Sequence, residues 1–307
     1  MEKEKRGTVT TRSILGFGLL HLTPFLMIWT GATAFDWSLC VFLYFFRMFW
    51  ITGGYHRYFS HKTYQTSRVW QFITAFMAQT SLQKGALWWA ANHRVHHKYS
   101  DTPKDPHSNK VYGFFYSHVG WIIGPDYKET LFKGIGDYAK FDELRWLNKY
   151  HLIPPFTLMV FTFFLGGYVN GGEGFVMNDA FISGGLSTVV VGFLTSTIIL
   201  FHGTFSINSL MHMIGKPRYE SDDKSKNNFI LAIITMGEGW HNNHHYYQAT
   251  VKQGFFWWEW DPTFYILKFL SWFGIVWDLR PVPDHIKFSK NKEHAKQLKE
   301  EAKKTAA

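Results

Sequence analysis

The sequence predicts an all-α integral membrane protein: four transmembrane helices in two hairpins, beneath a cytoplasmic helical cap with interfacial amphipathic helices. Three observations carry this. Four stretches approach the roughly 20 apolar residues that a spanning helix needs. They pair across short connections, and basic residues avoid both connections. The mean hydropathy of −0.14 is that of a soluble protein, but the average misleads. The chain has 16 histidines among 307 residues, and these alone lower the mean by about 0.17. The apolar fraction of 46% and aromatic fraction of 19% exclude a disordered chain.

The spanning stretches run approximately Ile14–Thr30, Phe35–Thr52, Leu152–Val169 and Phe181–His202. The first connection holds Asp36 and the second Glu173 and Asp179, with no lysine or arginine in either. Of 32 Lys+Arg, 4 precede the first stretch, 13 lie between Gly54 and His151, and 14 follow His202. The positive-inside rule then puts both termini and both long blocks in the cytoplasm. The remaining base, Arg47, is expected to snorkel to the interface. One domain is expected over 1–307, with its cap at 54–151 and 203–285 and a basic tail at 286–307. Ala32-Thr33-Ala34 resembles a signal-cleavage site, but the preceding run is long and holds Pro24, so a retained helix is expected.

Trp70–Ala90 and Pro262–Leu279 are apolar but carry Gln71, Gln79, Gln83 and Lys84, or Lys268 and Asp278. Both read as amphipathic helices lying in the interface. Trp88, Trp89, Trp257, Trp258 and Trp260 suit the headgroup level. The tail mixes lysine with Glu293, Glu300 and Glu301 and has almost no aromatic residues. It reads as a solvated helix near an anionic membrane face, with no nucleic-acid partner. The single cysteine, Cys40, excludes an intramolecular disulfide, a Cys₄ zinc site and a cysteine-held iron–sulfur cluster.

The histidines are clustered. His56 and His61 form one pair, His93, His96 and His97 a second group, and His241, His244 and His245 a third. Asn208 and His212 follow the last stretch. Positions i, i+3 and i+4 share one helix face, so each HxxHH group offers three imidazoles to one point. His56 and His61 are five apart and diverge on a regular helix. A bend after His56, or a π-bulge, is expected between them. All nine histidines fall on the cytoplasmic side of the predicted topology. One metal cannot take nine imidazoles, whereas two can take four or five each and keep an open position. Imidazole suits zinc, copper, iron or nickel. A nitrogen-only dinuclear iron site with an open position suits oxygen activation. Asp101, Asp105 and Glu238 are the nearby carboxylates expected to orient imidazoles. His107 and His118 fit a structural or a supporting role equally. His21, His151, His202, His285 and His294 read as structural.

At these residues the chain resembles a membrane fatty acyl desaturase of the acyl-CoA (stearoyl-CoA, delta-9) type. The specific segments are His56–His61, NHRVHHKYSDTPKDPHS at Asn92–Ser108, GFFYSHVGW at Gly113–Trp121, Asn208–His212, and GEGWHNNHH at Gly237–His245. The resemblance implies two Fe2+ ions held by His56, His61, His93, His96, His97, His212, His241, His244 and His245, with Asn208 contacting one through water. It implies O2 and two electrons removing two hydrogens from adjacent methylenes to leave a cis double bond. An unactivated C–H bond gives a side-chain base nothing to work on, so the cofactor supplies reactivity and the protein positioning. An apolar tunnel is expected for the acyl chain, with Trp89 and Trp121 as contacts. Tyr44 lies roughly 18 Å up the helix from His56. Tyr44 and Cys40, one turn further, are expected near the tunnel floor, limiting chain length.

The chain departs from the animal pattern at the head-group contacts. Ala91-Asn92 replaces Arg-Asp before the second histidine group, and no basic pair follows Trp121 closely. Acyl-CoA is the favoured substrate, held by other bases such as Lys84, Lys98, Lys104 or Lys128; acyl-lipid and acyl carrier protein are the alternatives. No fused haem-binding or rubredoxin-like motif is present, so a separate donor such as cytochrome b5, ferredoxin or rubredoxin is expected. A bacterial cytoplasmic membrane is favoured over endoplasmic reticulum. Hydroxylation or oxidative decarboxylation on the same metals is the competing chemistry. A non-catalytic membrane metal-binding protein is the competing class. Transport is disfavoured because the ligands lie outside the spans.

Overall fold

The first hairpin starts from two local caps. In a computed structural model that describes residues 6–289, α1 spans Thr11–Thr30, capped where Thr10 Oγ1 accepts the Ser13 N–H at 3.2 Å. Pro24 has no N–H to give, and Thr23–Leu26 is a 3-10 turn within α1. The second helix, α2, spans Ala34–Ser60 and opens with a Thr33/Asp36 capping box. Most of the basic tail expected at 286–307 lies outside the described residues.

The cap follows. The helices α3 (Arg68–Gln79), α4 (Ala86–Tyr99) and α5 (Asp142–Lys149) precede the second hairpin. That hairpin is α6 (Ile153–Asn170) and α7 (Asp179–His212). After it come α8 (His241–Tyr246) and α9 (Pro262–Trp272). A two-residue antiparallel pair, β1 (Gln65–Thr66) with β2 (Val276–Trp277), ties the segment after His61 to the end of the cap.

Small residues let the second hairpin close. A Cβ on Gly166 would sit 2.2 Å from Thr188 Oγ1, and one on Gly185 2.7 Å from the Phe163 ring. Such close approach is how helices gain contact where lipid offers no hydrophobic drive. Asp36, expected as a charge in the first connection, is fully buried. It accepts from Asn170 Nδ2 at 3.0 Å and from the Thr188 hydroxyl, joining the two hairpins.

Three expectations change. First, the apolar stretches understate two helices. From Trp50 to Ser60, α2 is a π-helix, and α7 runs ten residues past His202. At 34 residues, α7 is about 51 Å long, well beyond the bilayer core of about 30 Å. Second, Arg47 does not snorkel. It is fully buried and donates to Ser196 Oγ at 2.5 Å, Thr197 Oγ1 at 2.7 Å and Leu43 O at 3.1 Å. Third, Trp70–Ala90 is not one interfacial helix. It breaks at Thr80–Gly85, where Leu82 and Lys84 take positive φ. Asn148 Oδ1 then accepts the Trp88 N–H at 2.9 Å and starts α4, most of which is buried. Trp88 is thus a core residue and Trp89 packs on the core. Trp257, Trp258 and Trp260 do lie exposed, as does one side of α9 at Tyr265, Phe269 and Trp272.

Candidate metal centre

The π-helical end of α2 solves the five-residue spacing. The His61 N–H donates to His56 O at 3.2 Å, the i to i+5 bond of π geometry. It brings the two rings within 4.8 Å. On α4, regular helix stacks His93, His96 and His97 on adjoining turns. His241, His244 and His245 do the same on α8, and His212 closes α7.

These elements converge into two groups. His56, His61, His93, His97 and His244 form one; His96, His212, His241 and His245 form the other. In the first, His93 Nε2 stands 2.9 Å from both His61 Nε2 and His97 Nε2. His244 Nε2 stands 3.0 Å from both His97 Nε2 and His56 Nε2. One ring nitrogen carries a single in-plane proton or lone pair, so it cannot serve two such bonds. Nitrogens bound to one ion at about 2.1 Å stand about 3.0 to 3.4 Å apart. In the second group, His212 and His241 Nε2 are 3.2 Å apart, and His96 and His245 Nε2 3.4 Å. Both sets have metal-binding geometry.

Electrostatics agree. Burial first, then neighbouring imidazoles, push His61, His93, His97, His241 and His244 well below the ordinary histidine value. Burial takes His245 down to about 4 against the pull of Asp223. Neutral rings keep the lone pairs a metal needs. His96 is raised: burial opposes its charge, but Asp105 outweighs it.

On His56, His96 and His245 a carboxylate stands at the opposite ring nitrogen, which fixes the tautomer. His96 Nδ1 donates to Asp105 Oδ1 at 2.9 Å. His56 Nδ1 lies 2.7 Å from Glu238 Oε2. Asp101 is less direct than expected. It is 3.7 Å from His212 Nδ1, and Oδ2 accepts the Lys224 N–H at 2.7 Å. Two further residues support the rings without any sequence signal: Asp223, which accepts from His245 Nδ1, and Gln253, whose Nε2 is 3.1 Å from His56 Nδ1. Neither sits in a motif; only the fold brings them in. Asp223→Asn is expected to lower metal affinity about 10- to 100-fold, read as metal retained per chain after dialysis against a chelator. Arg57 is fully buried and bonds Asp261 at 2.9 Å, Glu238 at 3.2 Å and Val251 O at 2.8 Å.

A largely apolar cavity of about 340 Å³ reaches this centre. Phe17 and Leu20 of α1, Phe201 and Phe205 of α7, and Trp88, Trp89 and Trp121 line it. Its inner wall holds His93, His107 and Asn208. Trp89 and Trp121, the expected acyl contacts, are both among its lining residues. Tyr44 and Cys40 do not line this cavity. Tyr44 donates to Ile234 O at 2.9 Å, and Cys40 packs with Val190 and Val191.

Residues 32–277 match the family model described as fatty acid desaturase. The chain is 34% identical over 276 residues to the sn-2 palmitoyl-lipid 9-desaturase of Nostoc sp., covering 86% of this chain and 88% of that one. It is 31% identical over 283 residues to the acyl-CoA C20 Delta5-desaturase of Anemone leveillei, covering 89% and 82%. It is 34% identical over 235 residues to the sn-1 stearoyl-lipid 9-desaturase of Synechocystis sp., covering 76% and 68%. The chain belongs to the fatty acid desaturase family, and is an oxidoreductase acting on fatty acyl chains.

Proposed function

We propose that the protein is an O2-dependent acyl-CoA desaturase that places a cis double bond, at delta-9, using two irons and a separate electron donor. The nine histidines are its ligands. The observation that carries this reading is the pair of convergent imidazole groups, with His93 of the first lining an apolar cavity. The all-nitrogen donor set fits iron as well as it fits other borderline metals. Bound iron would supply the oxidising power that no side chain has.

The chain's own residues supply the rest. Trp89, Trp121 and Phe205 shape the cavity so that adjacent methylenes face His93, and holding them there replaces a diffusive encounter. Asp105, Asp223 and Glu238 hold imidazole Nδ1 atoms and leave Nε2 free. The apolar lining excludes water. Two of the relatives are named 9-desaturases, which supports the delta-9 position.

For the head group, the sequence left four lysines open, and a second cavity favours two of them. It measures about 620 Å³ and is lined by Lys84, Lys128, Arg145, Lys149 and His151, with Glu129 the one acidic residue. Lys84 and Trp88 line both cavities. Burial, then Lys128, lowers Lys84 to about 8, and an anion at this spot would restore its charge. Lys98 instead borders a polar recess beside His97 and Asp223, and Lys104 lines neither cavity.

The test is purified protein with stearoyl-CoA, O2 and a reduced carrier. A cis-9 product is expected; a hydroxylated or shortened chain would favour the competing chemistry. Combined Lys84→Gln and Lys128→Gln should raise KM for acyl-CoA about tenfold with kcat little changed. Free CoA should compete. If KM does not move and CoA does not compete, the head group is a lipid or carrier protein instead.

A further inference from the structure

One side chain ahead of α1 is stitched to the support of the metal centre. In the sequence Arg6 is only one of the bases before the first apolar stretch. In the fold it is half-buried and reaches two cap loops that lie 97 to 121 residues away in the chain. Its Nη2 donates to Pro103 O at 2.7 Å and to Asp105 O at 3.0 Å. Its Nη1 donates to the Tyr127 hydroxyl. The guanidinium lies 4.6 Å from the Tyr112 ring centroid and 5.3 Å from that of Tyr127, within cation–π range. The next residue follows it down. The Gly7 N–H donates to the Asp126 carboxylate oxygens at 3.0 and 3.1 Å. A Cβ on Gly7 would stand 2.4 Å from Pro125 Cγ, so a side chain here would push the arm off the cap.

Both loops lead on to functional groups. Asp105 Oδ1 accepts from His96 Nδ1 at 2.9 Å, and its Oδ2 accepts the Asp101 N–H at 3.0 Å. Tyr127 O accepts from Trp88 Nε1 at 2.7 Å and from Lys84 Nζ at 3.2 Å. Lys84 and Trp88 line the apolar cavity and the basic one alike. A guanidinium carries five donors in one rigid plane, so it fixes the spacing of the carbonyl and the hydroxyl that it holds. Arg6 thus sets Asp105, and through it the His96 ring, relative to the wall that carries Lys84. His96 belongs to the four-histidine group. The supports of the five-histidine group, Glu238 and Gln253 at His56, belong to other segments.

We propose that Arg6 is a positioning residue for the four-histidine group: it holds Asp105, and so the His96 ring, in register with the cavity wall at Lys84 and Trp88. This rests on the reading that each histidine group holds one ion. Its signature is selectivity. An arm that only propped the cap would, on loosening, weaken both ions and lower the thermal midpoint. A positioning residue that acts through His96 weakens one ion and leaves the other.

The experiment loads the purified full chain with cobalt(II), an ion that suits imidazole ligands and reports its surroundings in the visible spectrum. It compares wild type, Arg6→Gln, Arg6→Lys and Asp126→Asn, reading cobalt per chain through a chelator titration, the visible bands and the thermal midpoint. Arg6→Gln is expected to hold one cobalt as tightly as wild type and the other about fivefold more weakly, with the midpoint little changed. Arg6→Lys, which keeps the charge without the planar fork, should fall between. Asp126→Asn, which loosens Gly7, should show the same selectivity at smaller size. In a His96→Ala background Arg6→Gln should have no further effect, since the two then act on one ring. Equal weakening of both ions, unchanged affinity for both, or a full additional effect in the His96→Ala background would overturn the proposal. A wild type that binds a single cobalt would refute the two-ion reading instead, and the His96→Ala comparison on that ion would still decide the role of Arg6.

Discussion

Alanine at His93 or His244 is expected to reduce double-bond formation about 100-fold or more, because losing a ligand costs more than losing its supporting partner. Both rings belong to the five-membered group. Each has an Nε2 that stands at about 3 Å from two other Nε2 atoms, so each occupies an interior place in the set. Removing either opens the shell rather than trimming its edge. Metal per chain should fall with activity, while the helical signal and the detergent-solubilised size stay unchanged. Alanine at His151, which lies outside both groups, should leave metal content unchanged. Retention of full metal and activity in His93→Ala would remove the centre from the account.

The second large effect is on stability. Arg57→Leu should destabilise the cap by about 3 to 5 kcal/mol, the cost of stranding buried charges by deleting their partner. Arg57 is enclosed between Glu238 and Asp261, all three buried. Burial acts to raise the Glu238 carboxyl, but His56 and then Arg57 hold it below its usual value. Without the guanidinium, Glu238 loses its cation and its hold on His56 weakens. The expected result is a lower thermal midpoint in detergent together with partial metal loss. Arg57→Lys should fall between, since it keeps the charge but not the planar fork. An unchanged midpoint in Arg57→Leu would show that the network carries little of the cap's stability.

The parts of this molecule that were legible in sequence are local. Four apolar stretches and the basic-residue asymmetry predicted the two hairpins, because hydropathy and charge act residue by residue. The HxxHH groups were readable because i, i+3 and i+4 fall on one face wherever a helix forms. The spacing of His56 and His61 called for a bend or a π-bulge, and the end of α2 is π-helical. What stayed hidden depends on contacts far apart in the chain. Asp223 reaches His245 from 22 residues away, and nothing marks it among nearby acids such as Asp222. Arg47 has the composition of an interfacial base, yet Ser196 and Thr197 of α7 satisfy it inside the bundle. The tryptophans of α4 looked interfacial because amphipathicity does not say which face meets lipid; Asn148 on α5 turns Trp88 into the core. Tyr44 lies on the expected helix, but its hydroxyl meets Ile234 O and the cavity runs along α1 and α7 instead.

The most direct measurement is the metal in protein purified from the membranes of its own cells, by elemental analysis and Mössbauer spectroscopy on the same sample. Two high-spin irons per chain in nitrogen-rich surroundings are expected, with the ion of the five-histidine group lost when His93 and His244 are both replaced. Stoichiometric zinc, or an iron count unaffected by those replacements, would contradict this centre.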